Sequence, residues 1–319
     1  MGLRVPKDLD QSYEQFVINY VSLPWENNDD DPRDDLRGKH SFVMSYERFR
    51  RVLHALSELR ETGPLRSFVD VGPFPGNIFF LLRTYFNDSE NLRYAGVGLG
   101  FSDEYLQLFT AHGAQTIETE IDPEFIAAKE VRNWNLENKD CCLLLDVIEH
   151  LTNPIFALEN INKSLRMGGS LVLTTDNIAA IGYILQMIKS GRSPNGHPLK
   201  TSLFYRGNWR PHAREFSQEE LRFFLTMTGF TVTSHDYFER KQGDFYIDHT
   251  RQRVIEKKRL KGVKRLIIAT ILKIFPHLAD HQIIIATKTR ELSEIGDDRP
   301  VATDDVKEWV RIRHRFGQS

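Results

Sequence analysis

Short apolar runs alternate with amphipathic segments over the middle of the chain. Runs typical of buried strands occur at 67–71, 92–97, 115–121, 141–145 and 170–175. Apolar residues at helical spacing lie between them, at 77–85, 102–111 and 154–165. Such alternation is typical of a mostly parallel sheet with helices on both faces. The pattern therefore predicts a doubly wound α/β fold.

The flanking segments differ from this core in pattern. Residues 1–62 contain an amphipathic helix at 42–59, and we expect them to form a helical N-terminal lid. The α/β domain is predicted to span 63–290, with a polar, Gly- and Pro-rich insert at 190–213 and a basic helix at 251–275. Residues 291–319 are predicted to be a charged C-terminal tail.

Two patterns predict elements in the second half of this domain, a helix and the last strand. Ser217 and Glu220 have the spacing of a capping box, which predicts the start of a helix over 217–228. The apolar run at 281–287 predicts a last strand. A short helix is predicted within the tail, at 304–313.

Composition excludes several classes of protein. The 319 residues carry 42 Lys and Arg against 44 Asp and Glu, so no global charge attracts a nucleic acid. The two cysteines are adjacent, which fits a reducing compartment. The first residues lack the apolar core of a signal peptide, and the longest apolar run, 266–275, is too short to span a bilayer. We expect a soluble, cytoplasmic protein.

The segment FVDVGPFPGN, residues 68–77, carries the first chemical signal. Its apolar strand includes Asp70 and runs into Gly72 and Gly76 before a helix. Glycines at such a junction allow a tight turn and a close approach of the backbone to a ligand, next to helix N-terminal amides. By itself, the pattern is also compatible with an ordinary strand-to-helix turn.

Three further motifs follow in order: LLLDVIEHLTNP at 143–154, SLRMGGSLVLTTDN at 164–177 and HAREFSQEELRFFLTMTGF at 212–230. Together with the glycine segment, they make residues 42–288 resemble the class I S-adenosylmethionine-dependent methyltransferases, in particular the broad group with a DVIEHL-type motif after the fourth strand. The resemblance implies a Rossmann-like, seven-stranded sheet whose last strand is antiparallel. It also implies S-adenosylmethionine as the cofactor.

The resemblance assigns cofactor-binding roles by position. The loop from Gly72 through Phe74 to Gly76 would lie under the methionine part of the cofactor, with Asp70 at its start. Asp122 would accept a hydrogen bond from the adenine amino group. At the fourth strand, Asp146 and Val147 would face the methyl donor.

Two positions depart from the family pattern. Phe74 stands where the family has its middle glycine, and Gly98 stands where it has the acidic residue that binds the ribose hydroxyls. Asp103 or Glu104 could compensate, although acidic residues there also complement a helix dipole. The departures leave open a degenerate, non-catalytic methyltransferase fold.

A hydroxyl acceptor needs a base near its proton, and histidine is the most frequent one. His150, just beyond the fourth strand, and His212, in the loop before the capped helix, are the catalytic candidates. A structural role remains the alternative for both. Glu149 could orient a histidine or ligate a metal, and a salt-bridged residue at the rim is the alternative. No His, Cys and Asp cluster with the spacing of a metal site occurs, so no metal is expected.

The resemblance, with its Phe- and Pro-rich glycine loop, implies O-methylation of a small molecule or a glycan in a polysaccharide or natural-product pathway. The alternatives are a protein or nucleic-acid methyltransferase, and a binding or scaffold protein with a degenerate fold. The segment 251–275 is basic at first and apolar later. It allows peripheral contact with an anionic membrane, binding of a phosphorylated substrate, or a solvated helix whose apolar end packs on the sheet.

Overall fold

The computed structural model describes a set of residue ranges, namely 7–19, 45–63, 65–73, 77–85, 92–101, 103–122, 134–191, 212–239, 245–248, 253–256 and 263–295. Phe74, Gly76 and most of the predicted insert lie outside these ranges. So does the helix predicted at 304–313.

The secondary structure alternates as the sequence pattern predicts. The strands are β1 (Ser67–Val71), β2 (Arg93–Gly98), β3 (Gln115–Glu118), β4 (Lys139–Leu145), β5 (Leu165–Asp176), β6 (Phe230–Phe238), β7 (Phe245–Asp248), β8 (Arg253–Glu256) and β9 (His281–Lys288). The helices are α1 (Lys7–Asn19), α2 (Tyr46–Thr62), α3 (Asn77–Tyr85), α4 (Asp103–Ala111), α5 (Pro154–Ser164), α6 (Ile181–Ser190), α7 (Gln218–Met227), α8 (Val263–Ile274) and α9 (Leu292–Ile295). A short 3₁₀ turn, Ile148–His150, follows β4.

Within the described residues, seven strands form one sheet in the order β3-β2-β1-β4-β5-β9-β6. The five strands from β3 to β5 are parallel, and β9 is antiparallel to both of its neighbours. The prediction of a mostly parallel, seven-stranded sheet with an antiparallel last strand is confirmed. The strand order places the carboxyl ends of β1 and β4 next to each other.

Both faces of the sheet are covered, because successive residues of each strand point to opposite faces. In β1, Phe68 joins a core cluster with Tyr13 of α1 and Phe49 of α2, whereas Val69 joins the opposite cluster with Ile161 of α5. The N-terminal helices thus share a core with the sheet. The lid role of residues 1–62 stays a prediction.

The capping box at the start of α7 is confirmed. The Ser217 side chain accepts a hydrogen bond from the Glu220 backbone N–H at 3.2 Å, and the Glu220 carboxylate accepts one from the Ser217 N–H at 2.9 Å. Reciprocal capping satisfies two backbone donors that a helix start otherwise leaves unpaired. The fixed start of α7 positions the preceding loop, residues 212–216, beside the sheet.

The predicted basic helix at 251–275 is wrong in its first part. Residues 253–256 form β8, which pairs antiparallel with β7, and the helix is confined to Val263–Ile274. The β-branched pair Val254 and Ile255 favours a strand, and the Val254 backbone N–H donates to the Glu14 carboxylate at 2.7 Å. Pairing with β7 thus overrides the helical tendency of the charged run.

Candidate functional site

The candidate site lies along one edge of the sheet, where the parallel strands end and antiparallel β9 begins. Gly72 follows β1, Asp146 follows β4, Asp176 ends β5 and His281 starts β9. The carboxyl ends of parallel strands are where open α/β sheets place their ligands. Residues far apart in sequence therefore meet on this edge.

The turn after β1 approaches the residue after β4 closely. Gly72 has a φ of +68°, and its N–H donates to the Val97 carbonyl at 2.8 Å. A Cβ on Gly72 would lie 2.8 Å from Val147 Cγ2, closer than carbon atoms approach. Both the left-handed backbone and this contact explain the glycine. Phe74 and Gly76, the other predicted cofactor residues of this loop, lie outside the described residues.

Asp70 points into the core behind this turn. Its carboxylate is 2% exposed and accepts a hydrogen bond from the Tyr94 hydroxyl. Burial raises the pKa of Asp70 to about 7, although the Tyr94 hydrogen bond and the charge of Arg48 oppose the rise. The predicted role of Asp70 in cofactor binding stays a prediction.

Gly98, at the end of β2, borders the Phe101 ring. A Cβ on Gly98 would lie 3.4 Å from Phe101 Cζ and 3.8 Å from Pro73 Cδ. Both are ordinary van der Waals distances, so a Cβ fits at Gly98, and a longer side chain would extend along the aromatic ring. Asp103, one of the two residues suggested to compensate, is exposed at the start of α4.

Asp122 lies buried against the start of α5. Its carboxylate accepts hydrogen bonds from the Thr152 backbone N–H and hydroxyl and from the Asn153 backbone N–H, all between 2.8 and 3.0 Å. Asn153 in turn caps α5 by accepting from the Phe156 N–H. Asp122 therefore holds the segment that follows the DVIEHL motif, and adenine recognition by its carboxylate stays a prediction.

Asp146 is the centre of a buried ionic network. It adopts a φ of +54°, and its Oδ1 lies 2.8 Å from the Thr174 hydroxyl and 2.7 Å from His281 Nε2. Oδ2 pairs with the guanidinium of Arg48 from α2. His281 Nδ1 lies 3.0 Å from Asp176 Oδ1. Both nitrogens of this fully buried ring face carboxylates, an arrangement that the doubly protonated imidazolium satisfies.

Glu149 is fully buried beside this network. Its Oε2 accepts a hydrogen bond from the Thr175 hydroxyl at 2.8 Å, whereas Oε1 has no hydrogen-bond partner among the described residues. Burial raises the pKa of Glu149 to about 8, and the negative charges of Asp146 and Asp176 add to the rise. Nearby His212 acts in the opposite direction.

The two histidines predicted to be catalytic lie together. The rings of His150 and His212 are perpendicular, with centroids 4.6 Å apart. His212 Nδ1 lies 3.1 Å from Glu215 Oε1 and 3.4 Å from Asp176 Oδ2. Burial lowers the pKa of His212, but the Glu215 hydrogen bond and the charge of Glu149 outweigh it, so the pKa is raised. The pair could accept and hold a proton at this edge.

Backbone hydrogen bonds fix the His212 loop to the turn after β4. The N–H groups of Ala213 and Arg214 donate to the Glu149 carbonyl at 2.6 and 3.2 Å. Phe216, at the end of the loop, forms a parallel bridge with Asn177 just after β5. Histidines from two distant segments are thereby held side by side.

Two groups of side chains here have metal-ligating atoms in reach of one another. One is Glu149, His150 and His212, and the other is Asp176, His212 and Glu215. In each group, the atoms lie within 4.8 Å of one another. The sequence spacing indicated neither group, because their members come from the 3₁₀ turn after β4, the end of β5 and the loop before α7.

Four residues around Asp146 and His212 were not predicted as site residues from the sequence: Arg48, Asp176, Glu215 and His281. A weak signal existed for three of them. Asp176 ends the apolar run of β5, His281 starts the apolar strand β9, and Glu215 precedes buried Phe216. An ionisable residue at the end of a buried segment marks a site at the sheet edge.

No protein-family model and no curated protein sequence matches the chain. Among solved structures, it is similar to a putative methyltransferase in complex with the Trm112 methyltransferase activator from Haloferax volcanii, at 14% identity and a TM-score of 0.46, with 85% of this chain and 100% of that one covered. It is also similar to a SAM-dependent methyltransferase from Archaeoglobus fulgidus, at 17% identity and a TM-score of 0.45, covering 80% and 97%. At such identities, a likeness concerns the overall fold and says nothing about the reaction.

None of the helices in the described part of the chain is long and apolar enough to cross a bilayer. Helix α8 nevertheless exposes one apolar face. Val263, Leu266, Ile267 and Ile274 are each more than half exposed. Their spacing of three or four residues, or multiples of it, places them on one side of the helix.

Proposed function

We propose that this protein is an S-adenosylmethionine-dependent methyltransferase that methylates an oxygen of a small molecule or a glycan. One observation carries the proposal: the close contact between Gly72 and Val147 lies on the same edge of a sheet of this topology as a cluster of acidic and histidine side chains. This acid–histidine cluster consists of Asp146, Glu149, His150, Asp176, His212, Glu215 and His281. The contact provides a backbone surface for the cofactor. The cluster provides proton acceptors for a hydroxyl.

The residues on the cofactor side fit such a ligand. Because Gly72 has no Cβ, the turn passes close to Val147, and its backbone would border the methionine part of the cofactor. Val147 borders the turn, and Phe74 and Gly76 would complete the loop. The ribose would be held without the acidic residue, because Gly98 and the Phe101 ring occupy that end of β2. Asp122 would contribute to the adenine site indirectly, because its hydrogen bonds hold residues 152–153 in place.

The chain's own groups would then align the reactants and take the proton. S-adenosylmethionine supplies a methyl group on a sulfonium. The acceptor oxygen would take that methyl group, the electron pair of the broken carbon–sulfur bond would remain on sulfur, and the acceptor proton would pass to a base of this chain. His150 and His212 are the bases that we propose. The hydrogen bond of His212 Nδ1 to Glu215 fixes the ring and leaves Nε2 for the acceptor.

A second candidate is a binding protein that keeps the fold without catalysis. Gly98 beside Phe101 favours it, because the family's ribose contact is missing at that position. The buried network of Asp146, His281 and Asp176 favours catalysis, since a scaffold gains little from so many buried charges. The near-neutral charge counts against a nucleic-acid acceptor.

Peripheral membrane contact through 251–275 is a further part of the proposal. The exposed apolar face of α8 and the many basic residues of this segment support it. Co-sedimentation with liposomes should increase with the fraction of anionic lipid and fall with salt. Sedimentation that is independent of both would contradict the contact.

Calorimetric titration with S-adenosylmethionine and S-adenosylhomocysteine tests the methyltransferase proposal. We expect micromolar binding of at least one, weakened about tenfold or more by Gly72→Ala, because the new Cβ meets Val147. Gly113→Ala is the matched control: Gly113 has a similar φ of +74°, but no atom lies within 4 Å of its Cβ position. No binding by the folded protein would contradict the proposal.

A further inference from the structure

We propose that Glu149, His150 and His212 bind one divalent metal ion, of the class that includes Mn²⁺ and Zn²⁺. One carboxylate oxygen of Glu149 and one ring nitrogen of each histidine lie within 4.8 Å of one another. Ligands on a common ion are about 3 to 4 Å apart, given metal–ligand bonds of about 2.0 to 2.2 Å. Side-chain movements of about 1 to 2 Å would therefore close the site.

Glu149 provides the first independent evidence for a ligand. Its side chain is fully buried, and Oε1 has no hydrogen-bond partner among the described residues. A buried carboxylate oxygen without a partner is costly and rare in native proteins. A cation next to Oε1 would supply the missing interaction, while Oε2 keeps the Thr175 hydroxyl.

His212 provides the second independent piece of evidence for a bound ion. Its Nδ1 faces the Glu215 carboxylate at 3.1 Å, which leaves Nε2 as the nitrogen for an ion. Histidines that bind metals usually donate their other ring N–H to a carboxylate or a carbonyl, which fixes both the tautomer and the orientation. Glu215 has that position here and is itself fully buried.

The ligands are also held in place before an ion arrives. Glu149 and His150 are consecutive in the 3₁₀ turn after β4. The loop of His212 is fixed to that turn by the hydrogen bonds of Ala213 and Arg214 to the Glu149 carbonyl. Little chain entropy would be lost on binding.

The local charge favours a dication. Four carboxylates lie in the cluster, those of Asp146, Glu149, Asp176 and Glu215, and three of them are fully buried or nearly so. Arg48 pairs with Asp146 and His281 bridges Asp146 and Asp176. Glu149 and Glu215 lie on the side toward His212, where a cation would balance them.

The donor set indicates which ions fit. Two imidazole nitrogens and one carboxylate oxygen suit Mn²⁺, Fe²⁺, Co²⁺ and Zn²⁺, whereas Mg²⁺ and Ca²⁺ prefer oxygen ligands throughout. Three protein ligands leave coordination positions open, as in catalytic metal sites. The ring nitrogens of His150 and His212 that hold the ion could not also accept the acceptor's proton, so in the ion-bound protein the ion takes the place of the two histidine bases. An acceptor hydroxyl bound to the ion would have a lowered pKa and would release its proton to bulk water. That role rests on the proposed function, whereas the ion site itself does not.

Binding of Mn²⁺ to the metal-stripped full-length protein, followed by electron paramagnetic resonance, tests the site. We expect one ion per chain, displaced by Zn²⁺ and only weakly by Mg²⁺. Glu149→Gln should weaken Mn²⁺ binding about tenfold or more, since loss of a ligand or its support costs about that much. His150→Gln is the second variant, because its ring lies at a less buried position.

Matched controls are Glu219→Gln and His277→Gln, which make the same changes at exposed positions and should leave Mn²⁺ affinity within about twofold. Absence of stoichiometric binding of both Mn²⁺ and Zn²⁺, or unchanged affinity in both site variants, would overturn the proposal. Titration with S-adenosylmethionine separates the two proposals. Metal binding without cofactor binding would leave the ion site standing and remove the methyltransferase.

Discussion

The two halves of the edge that carries the site differ in the number of ionisable side chains that lie there. At the ends of β1 and β2 there are few: Asp70 is buried against Tyr94, and Gly98 borders the Phe101 ring. At the ends of β4 and β5 and the start of β9, charge is concentrated, with Asp146 and His281 at its centre. The first half is suited to backbone contact with a ligand, and the second to proton chemistry.

The comparison teaches that the two halves depend on different kinds of interaction. The β1–β2 half depends on close backbone approach, which a single Cβ can disturb. The β4–β5–β9 half depends on mutual neutralisation of buried groups, which the loss of one partner can disturb. Substitutions should therefore cost binding in the first half and stability in the second.

The largest effect is expected from His281→Ala. It leaves the carboxylates of Asp146 and Asp176, both with 10% of the side chain exposed, without their shared partner, and it should lower the free energy of unfolding by about 3 to 5 kcal/mol. Urea denaturation measures this. His277→Ala, at an exposed position, is the control and should cost less than about 0.5 kcal/mol. Equal losses in the two variants would show that the network contributes no stability.

Asp122→Ala should have the next largest effect. The N–H groups of Thr152 and Asn153 lose their buried acceptor, which should cost about 2 to 3 kcal/mol of unfolding free energy. Asp103→Ala, at the exposed start of α4, is the control, with an expected cost below about 1 kcal/mol. A stable Asp122→Ala protein that binds S-adenosylmethionine weakly would instead assign the residue to the cofactor alone.

Asp70→Asn should change how stability depends on pH. The pKa of Asp70 is raised to about 7 in the folded protein and lies near 4 in an unfolded chain. The folded state therefore binds the extra proton between these values, and stability falls as the pH rises from about 4 to about 7.

Asparagine keeps an acceptor for the Tyr94 hydroxyl but cannot ionise. Relative to the natural protein, Asp70→Asn should gain on the order of 2 kcal/mol between pH 5 and pH 8. Chemical denaturation at both values measures the difference. Parallel stability profiles for the two proteins would contradict a buried carboxyl with a raised pKa.

The smallest effect concerns cofactor affinity at β2. Gly98→Asp alone should weaken S-adenosylmethionine binding severalfold, because the new carboxylate would lie against the Phe101 ring. Combined with Phe101→Ala, the aspartate has room to reach the ribose, and affinity should rise above that of Phe101→Ala alone. Calorimetry compares the four proteins. A gain from Gly98→Asp by itself would favour a degenerate site over a remodelled one.

Local patterns predicted much of the fold. Strand alternation gave the sheet, and the Ser217–Glu220 spacing gave the start of α7. The prediction of a helix from 251 was wrong because β8 forms by pairing with β7, which no local pattern of charge reveals. Helix propensity is a weak guide where tertiary pairing is available.

The site was predictable only in part. Gly72 and the two histidines follow from motifs, but His281 meets Asp146 from 135 residues away, and Arg48 meets it from 98 residues away. Such contacts depend on strand order, which the sequence alone does not contain without the family resemblance. Asp122 was singled out by position, yet its hydrogen bonds to Thr152 and Asn153 depend on how two loops meet.

A crystal structure of the protein with S-adenosylhomocysteine tests the central claim most directly. The account predicts the ligand beside Gly72 and Val147, with its sulfur facing the His150–His212 pair across the edge of the sheet. Ligand bound elsewhere, or a sulfur that faces away from the histidines, would contradict the division of this edge into a cofactor side and an acceptor side.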